Sequence, residues 1–279
     1  MLGCVIYLSY LRIMIISWFS CGITSAVATR LALEKYKDVE IFYIEIESAH
    51  KDNERFIKEC EEWFGAEIHI VKNKKGYADQ FDVIKDTRYI NGAYGARCSL
   101  ELKKNVRFDL EKEFKPTHQI FGFEYSKNEI NRAIRFKEQY SEINPLFPLI
   151  ENRLNKEECH GIIQMAGIKP PAMYELGYNN NNCIGCVKGG KGYWNKIRQD
   201  FPKVFNRMAE VEREIGRSCL KELEGDESKQ LYLDELEPSA GILNPIVPDC
   251  GMFCQVEFTH LIDKRVSQIE SGELDINEI

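Results

Sequence analysis

Phe19-Ser20-Cys21-Gly22-Ile23-Thr24-Ser25 follows the apolar run Ile13 to Trp18 and precedes Ala26-Val27-Ala28-Thr29-Arg30-Leu31-Ala32-Leu33. The order reads strand, small-residue turn, helix. A turn of this kind opens the helix with free backbone N–H groups, which can hold an anion. The helix dipole adds about 0.3–1 kcal/mol per nearby charge. Ser20, Thr24 and Ser25 add hydroxyls, and Gly22 permits close backbone approach or a positive φ. A plain helix cap after a buried strand is the competing reading, and Ser or Thr is ordinary there. The Gly-Lys-Ser/Thr ending of a Walker loop is absent.

Outward from this turn the chain alternates. Val39 to Ile46 is β-rich and apolar, and a helix from about Asn53 to Trp63 repeats Phe56, Cys60 and Trp63 on one face. Gly65 ends that helix, and Glu67 to Val71 is a third strand, with His69 on an edge or exposed. Three such βα units predict an α/β fold: an open, mainly parallel sheet with helices on both faces. A helix over Ser99–Glu113, a strand over His118–Phe123 and a helix over Lys127–Gln139 extend the pattern until Pro145 and Pro148 interrupt it. Residues 14–150 therefore read as an α/β domain, and 151–279 as a mainly helical region with paired cysteines. In that region Lys156 to Ala166 is helical, and the polar run Asn179 to Asn182 precedes a cysteine pair. Val204, Phe205, Met208, Val211 and Ile215 form an apolar helical stripe that core packing explains. Residues 225–230 read as an exposed loop, and those after Ser267 as a polar tail.

The formal charge of −7 excludes a general attraction to nucleic acid. The 44% hydrophobic and 29% charged composition is that of a globular protein. Leu2 to Phe19 is largely apolar, but Arg12 interrupts it and its second half is needed as the first strand. A membrane span wants about 20 apolar residues, so no membrane segment is expected, and Met1 to Ile13 reads as an upstream extension. The ten cysteines, two sets of them closely spaced, favour a reducing, cytoplasmic location over a disulfide framework.

Cys183-Ile184-Gly185-Cys186 and Cys250-Gly251-Met252-Phe253-Cys254 are two close pairs. Short loops of this kind can turn four thiolates towards one centre, either structural zinc or an iron–sulfur cluster. Four structural thiols, or a redox dithiol at Cys183 and Cys186, are the other readings. Cys98 begins a predicted helix beside Arg97 and Lys103, which would stabilise its thiolate; a small buried hydrophobe is the alternative. Glu45 and Glu47 fall at the carboxyl end of the second strand, where open parallel sheets bind ligands. Either could be a surface carboxylate or could hold hydrated Mg²⁺. Arg132 could clamp an anion through its guanidinium fork or face solvent on its helix. Lys188 and Lys191 could form a further anion patch or keep a loop soluble.

Ser20-Cys21-Gly22-Ile23-Thr24-Ser25 resembles the Ser-Gly-Gly-x-Asp-Ser pyrophosphate loop (PP-loop) of the ATP-pyrophosphatase and phosphoadenosine phosphosulfate (PAPS) reductase superfamily. Ser20, Gly22 and Ser25 carry over, while Cys21 replaces a glycine and Thr24 replaces the aspartate. Arg97 to Lys104 resembles the family's Cys-x-x-x-Leu-Lys segment. Gly122-Phe123-Glu124 with Glu129 and Arg132 is similar to its Gly-x-Arg region, with Glu124 at the arginine position. The resemblance spans about Met14 to Cys186. It implies that residues 20–25 and Glu45 bind ATP or a PAPS-like adenine nucleotide, and that Cys98 and Arg132 serve catalysis. Related adenylyl-sulfate reductases place cluster cysteines at segments matching Cys98 and Cys183/Cys186, which favours a 4Fe–4S centre over zinc. The Glu-Cys-Gly-x-His tail of a sulfate-assimilating reductase has no full counterpart around Cys250.

The resulting expectation is a nucleotide enzyme that cleaves ATP at the α-phosphate and adenylates an acceptor, with sulfur chemistry in view and an electron donor or sulfur carrier as partner. A PAPS or adenylyl-sulfate reductase is one alternative. A binding module without turnover is another, which the Thr24 replacement supports.

Overall fold

The computed structural model describes residues 14–92, 95–224, 227–241 and 261–278. Cys250, Cys254 and the proposed extension, residues 1–13, lie outside the described residues. The chain opens with strand β1 (Ile15–Trp18), helix α1 (Ile23–Lys35), β2 (Val39–Ile44), α2 (Asn53–Phe64) and β3 (Ile68–Val71). Helices α3 (Gln80–Thr87), α4 (Arg97–Ser99) and α5 (Asn105–Phe114) lead to β4 (His118–Ile120) and α6 (Lys127–Gln139). Strand β5 (Pro145–Leu146) and helices α7 (Pro148–Glu151), α8 (Lys156–Met165) and α9 (Ala172–Glu175) follow. Helices α10 (Lys191–Asp200) and α11 (Pro202–Ile215), the hairpin β6 (Leu220–Glu224) and β7 (Glu227–Leu231), and α12 (Leu261–Ser271) complete the described chain.

Five strands form one parallel sheet in the order β3-β2-β1-β4-β5. All four residues of β1 are buried, as a central strand covered on both faces requires. Helix α1 is buried on most of its circumference, because its small residues Ala26, Ala28 and Ala32 admit close neighbours. It packs against α7 and α8 as well as the sheet. The apolar core on this face joins Phe19, Ile41, Phe56 and Ile120 to Leu149, Cys159 and Ile163. The opposite face packs Trp18 and Phe42 with Phe121, Phe136, Phe147, Val266 and Ile269 from α5, α6 and α12 and their connections. A third cluster around Tyr193 and Trp194 holds α3, α10, α11 and the hairpin together. Buried Glu212 joins this unit by accepting the N–H groups of Cys219 at 2.5 Å and Leu233 at 2.7 Å.

The expected βα units are present, and several local expectations are corrected. Pro145 begins a fifth strand, where its missing N–H is tolerated at a sheet edge, so the prolines do not simply end the pattern. The helix expected over Ser99–Glu113 begins at Arg97 and carries a π-helical turn over Leu100–Lys104. The segment read as an exposed loop from residue 225 supplies the second strand of an antiparallel hairpin. The supposed polar tail buries Ile269 and Ile276. Among the described residues no helix is long and apolar enough to cross a membrane.

Strand order reverses about β1, and the loops after β1 and β4 meet there. A Cβ on Gly122 would lie 2.7 Å from both the backbone N and the Cα of Ser25. Main-chain atoms cannot rotate aside, so Gly122→Ala must push α1 away from β4. We predict a destabilisation of about 1–3 kcal/mol, read as a lower thermal midpoint. Gly161→Ala, at a helical position where the added Cβ would meet nothing within 4 Å, should instead be neutral or stabilising by up to about 1 kcal/mol. Equal behaviour of the two variants would contradict the tight approach at Gly122.

Candidate nucleotide site

The loop after β1 takes its form from one side chain. Ser25 Oγ accepts the N–H groups of Ser20 at 3.0 Å and Gly22 at 3.3 Å, and donates to the Gly22 carbonyl at 2.9 Å. Ser20 Oγ lies 3.1 Å from the same oxygen. The left-handed conformation falls on Cys21, with φ 61°, while Gly22 is extended at φ −105°. Gly22 therefore serves by close approach rather than by positive φ. Cys21 carries a backbone conformation that costs a non-glycine residue about 1–2 kcal/mol. Its side chain is fully buried in the α1–α2 core. Burial pushes its thiol well above the ordinary range, which suits a packing residue rather than a nucleophile.

A cavity of about 810 Å³ opens at the carboxyl ends of β1, β2 and β4, the ligand position of open parallel sheets. Its walls bring together Ser20, Gly22, Thr24, Ser25, Arg132 and Cys183 from the expected set. Glu45 is outside this lining, with its carboxylate 2.5 Å from the Lys72 ammonium. Lys191 is turned to Glu222 at 2.6 Å and is likewise no part of it. Arg132 is oriented by Glu129, to which it donates at 3.1 Å, and its guanidinium lies 4.4 Å from the Phe123 ring centre.

Lys103, Lys156, Tyr174 and Asn181 also line the cavity; the sequence marked only Lys103, and that as a neighbour of Cys98. The asparagine run was visible only as polarity, and Lys156 only as a helix start. Glu124, in place of the family's arginine, puts a carboxylate beside Lys156. Burial raises the Glu124 pKa, with Lys156 opposing, and burial lowers the Lys156 pKa against the pull of Glu124. Burial and then Lys156 lower that of His160.

A segment from Lys169 to Ile184 runs across one side of the loop. Arg55 donates to the carbonyls of Lys169 at 3.0 Å and Pro170 at 3.1 Å. Asp52 accepts the Ala172 N–H at 2.9 Å, and Arg55, opposed by burial, holds the Asp52 carboxyl below its usual range. Asn181 Nδ2 donates to the Cys21 carbonyl at 2.6 Å and to Asn53 Oδ1 at 2.8 Å. The Ile184 N–H reaches the Ser48 carbonyl at 2.8 Å.

Next to the large cavity is a small one, about 20 Å³, lined by Cys98, Cys183 and Cys186. Ile46, Lys103 and Cys183 belong to both linings. The cysteine turn is held open by Gly185 at φ 76°, by Gln80 Nε2 donating to the Ile184 carbonyl at 2.9 Å, and by the Cys186 N–H bonded to Tyr193 at 2.9 Å. Cys98 faces this turn from the start of α4. Among the described residues no three His, Cys, Asp or Glu side chains stand as a ready-made metal cage. Cys60, Cys159 and Cys219 are buried, in keeping with packing roles, and burial pushes the Cys159 thiol up to about 12.

This sheet, with its serine-bearing turn before the first helix, defines a PP-loop α/β fold. The chain belongs to the phosphoadenosine phosphosulfate reductase domain family, whose profile matches residues 14–190. It is a divergent member, with Cys21 and Thr24 at altered loop positions. It is 24% identical over 207 residues to the uncharacterized protein MJ0973 of Methanocaldococcus jannaschii, covering 71% of this chain and 47% of that protein. The uncharacterized protein MJ0066 of the same organism is 24% identical over 209 residues, covering 71% and 41%. The chain thus spans less than half the length of these curated relatives. Among solved structures, a PAPS reductase of Candida auris in a phosphate complex aligns at 15% identity and TM-score 0.45, covering 61% of this chain and 80% of that one. The U34-tRNA thiolase NcsA of Methanococcus maripaludis, with its 4Fe–4S cluster, aligns at 12% identity and TM-score 0.40, covering 74% and 72%.

Gly22→Val tests the loop. The extended backbone accepts valine, but its Cβ would stand 3.3 Å from the Tyr174 hydroxyl and its methyls would crowd the turn. ATP affinity measured by calorimetric titration should be lost while the circular dichroism spectrum stays near native. Undiminished affinity in a folded variant would remove the loop from the site.

Proposed function

We propose that the protein is a nucleotide-dependent transferase that binds ATP with its polyphosphate on residues 20–25 and adenylates an acceptor. The observation that carries this reading is the shared wall between the two cavities. The turn lines the larger cavity and the three cysteines the smaller, and Ile46, Lys103 and Cys183 stand in both linings. An acceptor entering between them would meet the α-phosphorus from the side opposite the loop. A lone pair on the acceptor attacks that phosphorus, the bond to the bridging oxygen breaks, and pyrophosphate leaves with the negative charge. The start of α1 and the hydroxyls of Ser20 and Thr24 hold the departing phosphates. Lys103 and Arg132 stabilise the developing charge by electrostatics in a partly enclosed site. Thr24 supplies no carboxylate, so Mg²⁺ in this site would be carried mainly by the phosphates and water.

The thiol set fits a soft metal centre by its donor chemistry, with Cys98, Cys183 and Cys186 as holders and a fourth ligand from Cys250 or Cys254. A cluster bound there would supply electron-transfer chemistry beside the nucleotide, and zinc would supply only structure. A second reading, reduction of a sulfonucleotide by thiol attack on its sulfur, is favoured by Cys183 lying in the nucleotide cavity wall. The electron donor or sulfur carrier, and the acceptor, belong to these proposals.

Incubation with ATP, Mg²⁺ and small thiol or amine acceptors should release pyrophosphate. Sulfite release from PAPS with a dithiol reductant, without pyrophosphate release from ATP, would overturn adenylation in favour of reduction. Nucleotide binding with neither product would favour a binding module.

Anaerobic purification should yield iron and sulfide with broad visible absorption, and a colourless zinc protein would replace the cluster. Cys98→Ser and Cys183→Ser should each lose the centre and, since metal sites couple to folding, lower the thermal midpoint. Metal-free protein with unchanged stability in both variants would sink the centre.

A further inference from the structure

We propose that Tyr174 is a ligand-contacting residue of the anion site, donating its phenolic proton to the phosphate held by the 20–25 turn. This deepens the nucleotide reading and rests on it. Tyr174 belongs to α9 and lines the large cavity. Its hydroxyl is the atom nearest to a Cβ built on Gly22, at 3.3 Å. The phenol therefore stands directly over the turn that begins α1.

The polarity of this hydroxyl follows from its neighbours. Burial raises the pKa of the phenol, with the main chain at Ile23, the first residue of α1, and at Asn181, on the crossing segment, opposing, so it stays protonated. A protonated phenol at the cavity wall has an O–H to offer an anion above the turn. Among the described residues no hydrogen-bond acceptor takes that proton.

The ring is held for this task. The His160 ring meets it edge-on with centroids 5.2 Å apart, and the Lys156 ammonium lies 5.8 Å from its centre. The backbone on either side is tied down by Ala172 N–H on Asp52 and by Asn181 on Cys21 and Asn53. A donor fixed in this way loses little freedom when the ligand arrives. It also accounts for the absence of an arginine at Glu124: the site's additional donor comes from the helical region rather than from the loop after β4.

The test is Tyr174→Phe, which keeps the ring and removes the hydroxyl, with inorganic pyrophosphate and adenosine as separate probes in calorimetric titration. A hydrogen bond to a charged ligand predicts about a tenfold or greater loss of pyrophosphate affinity. Adenosine affinity should stay within about twofold. Because both probes are read on one preparation, partial unfolding would weaken them together and cannot imitate the split. Equal loss for both probes would overturn the proposal and make Tyr174 a packing residue. Unchanged or tighter pyrophosphate binding would also overturn it, identifying the hydroxyl as a competitor for the anion position. If the unmodified chain bound adenosine but no pyrophosphate, the loop reading itself would fall, and this proposal with it.

Discussion

The structure turns on a contact with no room for a side chain. Gly122, just past β4, lies against the backbone of Thr24 and Ser25 at the first turn of α1. That approach brings the two strand-end loops together at the point where strand order reverses. Ser25 then gathers the main-chain donors of the turn onto its own hydroxyl, so one buried residue supports the loop from inside while Gly122 supports it from outside. The cavity is what remains above this junction. Its depth comes from the parallel sheet, and its far wall comes from α8, α9 and the segment beyond them.

Charge in the cavity is balanced rather than simply positive. Lys103, Arg132 and Lys156 share the lining with Glu124, Glu129 and Glu157. Arg132 is engaged by Glu129, and Lys156 is both desolvated and close to Glu124. In the nucleotide site proposed above, neutral dipoles, the hydroxyls of the turn and the start of α1, would therefore carry much of the work of meeting an anion. Such groups are already oriented and need no reorganisation when charge develops. This differs from a site built on a free arginine, and it follows from the substitution of Glu124 at the position where the family pattern has one.

The parts of the molecule that were legible in sequence are those with a short-range cause. The βα repeats announced the sheet through β-rich runs of the right length, and Ser20 to Ser25 announced the tight turn before α1 through local chemistry. Cys98 and the Cys183/Cys186 pair were visible one by one, but their meeting around a single cavity depends on how α4 packs against a turn about 85 residues later in the chain. Tyr174 had no local signature, since an aromatic residue in a short helix reads as packing. The left-handed strain was expected at Gly22 and falls on Cys21, because hydrogen bonding to Ser25 sets the turn's shape. Short strands such as β5 and the hairpin after α11 escaped because proline or charge outweighed a two- to five-residue pattern that tertiary pairing supports.

Asn181 and Cys183 are separated by a single residue, yet one is bonded to the loop carbonyl of Cys21 and the other stands in the thiol cavity. The two chemistries therefore share a length of backbone too short to absorb much movement. If the proposed ligand shifted the loop, the cysteine turn would bear part of that shift, and a group bound at the sulfurs would act on the loop in the same way. Thermodynamic linkage would make any such exchange symmetrical: whatever free energy passed from one end of this segment to the other would pass equally in return.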